Sequence, residues 1–104
     1  MDIRIKASGI AHTAAIDAYI EKKIGALKKY LAHIRPPHSA YVEVGKTSAR
    51  HEQGDVMTCH AHLSLPRKAL HAHAEAVDLY AAIDRVRDEL ERQIVRYKER
   101  RREQ

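Results

Sequence analysis

The sequence predicts an α+β fold: a two-layer sandwich of order β-α-β-β-β-α, with a four-stranded mixed sheet and both helices on one face. Three observations lead there. Four short segments alternate polar and apolar residues, which is the period of a half-buried strand. Two longer segments repeat apolar residues at spacings of three and four, the period of an amphipathic helix. Because every strand alternates, only one face of the sheet is buried, and both helices must pack on it.

Residues 2–6, Asp-Ile-Arg-Ile-Lys, form the first strand, ending near Ser8-Gly9. Thr13 is placed to cap the first helix, with Asp17 near the positive end of its dipole. Ile16, Ile20, Ile24, Leu27, Leu31 and Ile34 make its apolar stripe. Pro36-Pro37 stops it, because the residue before a proline is pushed out of the helical region. Gly25 inside the helix costs roughly 1 kcal/mol relative to Ala.

Residues 39–46 read as the second strand, with Ala40, Val42 and Val44 on one face and Tyr41 and Glu43 on the other. Residues 47–54 are a polar loop. In the third strand, 55–64, Met57, Cys59, Ala61 and Leu63 share a face opposite His60 and His62. In the fourth, 69–76, Leu70, Ala72 and Ala74 lie opposite His71, His73 and Glu75. A four-residue loop, 65–68, sets Leu63 against Leu70, Ala61 against Ala72 and Cys59 against Ala74. A slip of one residue would drive histidines into the core, so the register is well specified. The β-α-β crossover implies that the first two strands pair in parallel. Asp78 caps the last helix, 79 to about 101, whose stripe is Leu79, Ile83, Val86, Leu90, Ile94 and Tyr97.

The chain of 104 residues is expected to be one domain, 1–104, with a basic tail from about residue 98. One cysteine excludes a disulfide framework and a cysteine-based structural zinc site. Cys59 reads as a small core residue. There is no apolar run long enough to span a membrane and no secretory signal at MDIRIKAS, so a soluble cytoplasmic protein without a membrane partner is expected.

The net charge of +5 is unevenly placed. Residues 13–35 carry +3, residues 85–102 carry +4 and the remainder carries −2. At about 100° per residue, Arg85, Arg92, Arg96 and Arg100 cluster on the outer face of the last helix. Arg92, Arg96 and Arg100 stand four apart and repel by about 0.2–0.5 kcal/mol per pair, a cost that a polyanion would relieve. Asp88 and Glu89 both lie within reach of Arg92. On the first helix Lys22 and Lys29 point outward, and Lys23 sits beside Tyr19 at the edge of the stripe. Charge alone leaves two readings open, a nucleic-acid face and a solvated helix surface.

His60, His62, His71 and His73 share the open sheet face, His62 opposite His71 and His60 opposite His73. They are candidates for a zinc, nickel or copper site, for a phosphate or RNA contact, or for an ordinary polar face. No nucleophile–base set, phosphate-binding glycine loop or metalloprotease helix is visible, so neither an enzyme nor a cofactor is expected. The KH domain's GXXG loop is absent, and the open face lacks the strand aromatics of an RRM apart from Tyr41. The element order β-β-β-α is that of a double-stranded-RNA-binding domain, but the last helix opens Asp78-Leu79-Tyr80-Ala81-Ala82 rather than with lysines.

Leu70-His71-Ala72-His73-Ala74-Glu75, Asp78-Leu79-Tyr80-Ala81-Ala82-Ile83-Asp84, Asp88, Leu90-Glu91-Arg92-Gln93 and Lys98 together make a specific run. With it, and with the helix AYIEKKIGALKKYL, the whole chain resembles the hibernation-promoting factor/ribosome-associated inhibitor A family. The resemblance implies a non-enzymatic stationary-phase and stress protein. It would bind small-subunit ribosomal RNA between head and body and block the channel used by mRNA and tRNA. Lys23, Arg92 and Lys98 match bases common in the family. Ala26 and Glu89 stand where the family often has Lys, with Arg85 and Arg96 as compensating cations. Long members add a ribosome-dimerising domain. Ending at Gln104, this chain resembles the short form, which acts on single ribosomes or uses a separate modulation factor as partner. The candidate RNA-binding set is Lys22, Lys23, Lys28, Lys29, Arg85, Arg92, Arg96, Lys98 and Arg100; the alternative function is a metal-binding module at the four histidines.

Overall fold

In a computed structural model, which describes residues 1–47 and 56–102, the chain runs β1 (Asp2–Ser8), α1 (Ala14–Gly25), a 3-10 helix (Ala26–Leu31), β2 (Ser39–Thr47), β3 (Val56–Leu65), β4 (Lys68–Ala76) and α2 (Leu79–Arg102). The sheet order is β1-β2-β3-β4. β1 and β2 pair in parallel, and the other two pairs are antiparallel. This is the expected four-stranded mixed sheet. The polar loop expected over 47–54 lies outside the described residues after Thr47.

Alternation decides which face is buried. Ala40, Val42 and Val44 of β2, Cys59, Ala61 and Leu63 of β3, and Leu70 and Ala72 of β4 all enter one core. From the other layer come Ile16, Ile20 and Ile24 of α1, then Leu27, Leu31 and Ile34, and Leu79, Ile83, Val86, Leu90 and Ile94 of α2. Both helices therefore cover one side of the sheet. Full burial of each Leu, Ile or Val side chain stabilises by about 1.5–3 kcal/mol. The pairings Leu63↔Leu70, Ala61↔Ala72 and Cys59↔Ala74 are those the two-residue period demands. Ile3, Ile5 and Ala7 are only half-buried, because β1 is an edge strand. Burial pushes the Cys59 thiol up to about 12, so it is an inert packing residue.

Side chains set the helix starts. The Thr13 hydroxyl accepts from Ile16 N at 3.2 Å, and the Asp78 carboxylate accepts from Tyr80 N at 3.1 Å. His12 Nε2 lies 2.5 Å from Asp17 Oδ1, beside the first turn of α1. The first helix is not one continuous α-helix to Ile34. It tightens after Gly25, the residue of weakest helical preference in the segment. The spacing of Leu27, Leu31 and Ile34 suits either winding over so few turns, and all three remain buried. A bond from Ile34 N to Leu31 O at 2.9 Å closes the segment before the cis Pro36–Pro37 bond.

One more boundary differs from expectation. The β3–β4 connection is a two-residue turn, Pro66-Arg67, rather than a four-residue loop. Leu65 has the parity of Leu63 and is buried, which keeps it in the strand, paired with Lys68. The last helix, expected over 79 to about 101, runs to Arg102, so the basic segment from 98 lies within α2. Ile94 is the last fully buried residue of α2; beyond it Tyr97 is half-buried against the core and the bases around it face outward or lie at its edge.

Gly45 lies where β1 and β2 run side by side. A Cβ there would sit 2.8 Å from the Ser8 carbonyl oxygen, which is backbone and cannot swing away. Nothing lies within 4 Å of a Cβ at Gly25, whose backbone is already helical. Gly45→Ala is therefore expected to destabilise by about 1–3 kcal/mol, and Gly25→Ala to stabilise by about 0.5–1 kcal/mol. Thermal melting of both variants beside the parent checks the pair of signs.

Candidate nucleic-acid interface

Three segments far apart in sequence meet at one end of the molecule. The β3–β4 turn brings Arg67 and Lys68, the exit from the 3-10 helix brings Arg35, and the last turns of α2 bring Arg96, Arg100 and Arg101. They line an open groove of about 830 Å³ that no carboxylate among the described residues lines. Ile34, Leu70 and Tyr97 give it apolar patches. Gln93 is anchored there, its Nε2 donating to the His71 carbonyl at 2.7 Å and to Glu89 Oε2 at 3.0 Å. The Arg101 guanidinium lies 5.7 Å from the Tyr97 ring centre, which orients it by a cation–π contact. Arg96 and Arg100 are exposed and form no salt bridge among the described residues. Cations gathered along a groove are what a phosphodiester backbone neutralises.

The candidate bases fall into two groups. Arg96 and Arg100 line the groove, while Lys22, Lys28 and Lys29 are exposed on the first helical segment, Lys29 lying 5.3 Å from the Tyr30 ring centre. Lys98 is half-buried on α2. The other group is engaged within the protein. Arg92 reaches Glu89 Oε1 through Nη2 at 2.7 Å and Nε at 3.1 Å. Asp88 does not share in this; it pairs instead with Arg87, which also holds Glu91. Donation from Gln93, with that from Arg92, holds the Glu89 carboxyl below its ordinary value. Arg85 donates to the Glu75 carbonyl at 2.9 Å.

Lys23 belongs to the seam between the helices. Its ammonium is 3.4 Å from Asp84 Oδ1, the same oxygen that accepts the Tyr19 hydroxyl at 2.6 Å. Tyr19 meets Tyr80 edge-on at 4.7 Å and Lys23 at 5.5 Å. This network ties α1 to α2 and fixes the angle at which the two cationic helices present themselves.

Arg35, Arg67, Lys68 and Arg101 are the groove residues that sequence reasoning left out of its candidate set. The Pro66-Arg67-Lys68 turn carried a signal, because adjacent bases on a hairpin tip have few local acids to neutralise them.

The four histidines share the open sheet face in the expected pairing, with His62 and His71 ring centres 4.3 Å apart and His60 and His73 5.9 Å apart. Among the described residues, no group of three or more His, Cys, Asp or Glu side chains is placed to hold a metal ion. No helix among them is long and apolar enough to cross a membrane.

Residues 3–102 match the family described as Sigma 54 modulation protein / S30EA ribosomal protein. A ribosome hibernation promotion factor of Lactococcus lactis subsp. cremoris is 36% identical over 98 residues, covering 92% of this chain and 49% of that protein. One from Staphylococcus aureus is 35% identical over 96 residues, covering 92% and 47%. The chain thus spans about half the length of the curated relatives it matches. The N-terminal domain of Thermus thermophilus Protein Y superposes with a TM-score of 0.75 at 28% identity, covering 93% of this chain and 99% of that one. A ribosomal subunit interface protein from Coxiella burnetii shares the fold, with a TM-score of 0.74 at 22% identity over 94% and 98% of the two chains.

The helix seam has a pH signature. Hydrogen bonding to Asp84, then burial, raises the Tyr19 hydroxyl from 10.0 to about 12. A raised value favours the protonated form in the folded state, so this contribution is complete below pH 10.0 and is lost as pH rises toward about 12. Tyr19→Phe should lower the melting temperature at neutral pH, and the gap to the parent should close across that alkaline window. Melting curves from neutral to alkaline pH check both statements.

Proposed function

Because this chain belongs to the Sigma 54 modulation protein / S30EA ribosomal protein family, we propose that it is a ribosome hibernation factor. It binds ribosomal RNA of the small subunit in the decoding channel and blocks mRNA and tRNA during stationary phase or stress. The observation that carries this reading is the groove of Arg35, Arg67, Lys68, Arg96, Arg100 and Arg101, lined by no carboxylate among the described residues. A groove lined with cations suits the regular phosphates of folded RNA, and its open form suits a strand lying along it rather than a small molecule enclosed by it. The names of the relatives point the same way, toward a ribosomal partner and hibernation.

The mechanism is occupation rather than chemistry. A rigid sandwich, its helices tied by Tyr19, Lys23 and Asp84, inserts where mRNA and tRNA would lie. Phosphate contacts hold it there. Each neutralised phosphate releases counterions, so affinity falls as salt rises, by about 0.7–0.9 log units per contact for each tenfold increase. No acid–base step enters the function, and its place of action is the cytoplasm, among the ribosomes.

Co-sedimentation with purified ribosomes over a salt series is the test. The double variant Arg96→Glu/Arg100→Glu should weaken binding at least about tenfold and flatten the log–log salt slope by about two. Arg92→Glu should do less, because Glu89 already neutralises Arg92. Full binding by the double variant, or none by the parent even at low salt, would overturn the reading.

A further inference from the structure

The groove sets one neutral amide, Gln93, among its cations. The side chain is half-buried and held at two points. Its Nε2 donates to the His71 carbonyl of the edge strand β4 at 2.7 Å and to Glu89 Oε2, one turn back on α2, at 3.0 Å. Both partners are acceptors, so the amide nitrogen must face them. The reversed amide would set oxygen against oxygen twice. Glu89 is itself steadied by Arg92, at 2.7 and 3.1 Å. The amide is therefore oriented, and its carbonyl oxygen, Oε1, accepts from no described residue. Gln93, Arg96, Tyr97 and Arg100 stand at i, i+3, i+4 and i+7, which puts them on one face of α2 over about two turns.

Resting on the reading of this groove as a site for a phosphodiester backbone, we infer that Gln93 makes it selective for RNA over DNA. Its Oε1 accepts a hydrogen bond from a ribose 2′-hydroxyl.

The chemistry of the strand singles out that group. Phosphate oxygens only accept, so an amide carbonyl has nothing to take from them. It needs a donor. In folded RNA the pairing N–H groups of the bases are spent on one another, whereas a 2′-hydroxyl lies on the backbone beside each phosphate. A strand laid with its phosphates on Arg96 and Arg100 carries 2′-hydroxyls past Gln93, one turn away on the same helix face. DNA has only hydrogen at that position and leaves Oε1 without the bond. The cations cannot make this distinction, because phosphate is common to both nucleic acids. The groove then divides its work: the bases of the protein attract the strand, and one amide reads its sugar.

Fluorescence anisotropy with the full chain at low salt tests this, using a labelled RNA hairpin and the same hairpin built with 2′-fluoro riboses. Fluorine keeps the A-form and every phosphate but donates no hydrogen bond. The parent should bind the RNA hairpin about fivefold more tightly than the fluorinated one. Gln93→Met, similar in size and without an amide, should weaken RNA binding about fivefold, to the level of the fluorinated hairpin. Gln93→Asn, which draws the carbonyl back by one methylene, should do the same. Arg96→Glu/Arg100→Glu should weaken both hairpins alike. Melting curves matching the parent's show that each variant is folded. Equal binding of the two hairpins by the parent, a preference that survives both Gln93 variants, or Gln93 variants that weaken both hairpins by the same factor would each overturn the inference while the groove stands. Full binding of both hairpins by the double arginine variant, or of neither by the parent, would overturn the groove and the inference with it.

Discussion

Everything in this molecule depends on a sheet that can bury only one of its faces. The alternation of Val42, Val44, Cys59, Ala61 and Leu63 with Tyr41, Glu43, His60 and His62 allows a single hydrophobic layer. Two helices must share that layer, and they meet over it at the Tyr19–Lys23–Asp84 seam. The result is a slab with two dissimilar outsides. One is helical and cationic, the other a bare sheet of rings. A fold that buried both sheet faces would have left no room for either.

The cationic side is an outcome of packing as much as of composition. Arg67 and Lys68 on a hairpin tip, Arg35 at a helix exit and the arginines past Ile94 are each ordinary surface bases. Core packing brings the hairpin end of β3 and β4 under the last turns of α2, and there they become one groove. Elsewhere on α2 the same residue types are neutralised locally, Arg92 by Glu89 and Arg87 by Asp88 and Glu91. Arg87 and Arg92 therefore add little to the outward charge of α2, whereas Arg96 and Arg100 keep theirs at the groove.

Much of this was legible in the sequence because it depends on local periods. The strand parity, the β3–β4 register, the Thr13 and Asp78 caps and the two stripes all follow from residues within a few positions of one another. What was missed needed either fine local energetics or long-range geometry. The tightening after Gly25 and the two-residue turn at Pro66-Arg67 change no face assignment, so hydrophobic period could not detect them. Pairing choices were harder, since Asp88 and Glu89 both reach Arg92 along an ideal helix and only side-chain conformation assigns Asp88 to Arg87. The groove was invisible to any helix-by-helix count of charge, because half its cations come from other elements. The specific run around Leu70–Gln93 carried family membership, which no period or charge count supplies.

The central claim is that the groove between the β3–β4 turn and the end of α2 is what grips ribosomal RNA. A structure of the chain bound to the ribosome, solved by electron cryo-microscopy, tests it most directly. The account predicts Arg67, Lys68, Arg96 and Arg100 within about 4 Å of phosphate oxygens of small-subunit RNA, with the slab lying across the path of mRNA and tRNA. A bound chain whose groove faces solvent, or which sits away from that path, would contradict it.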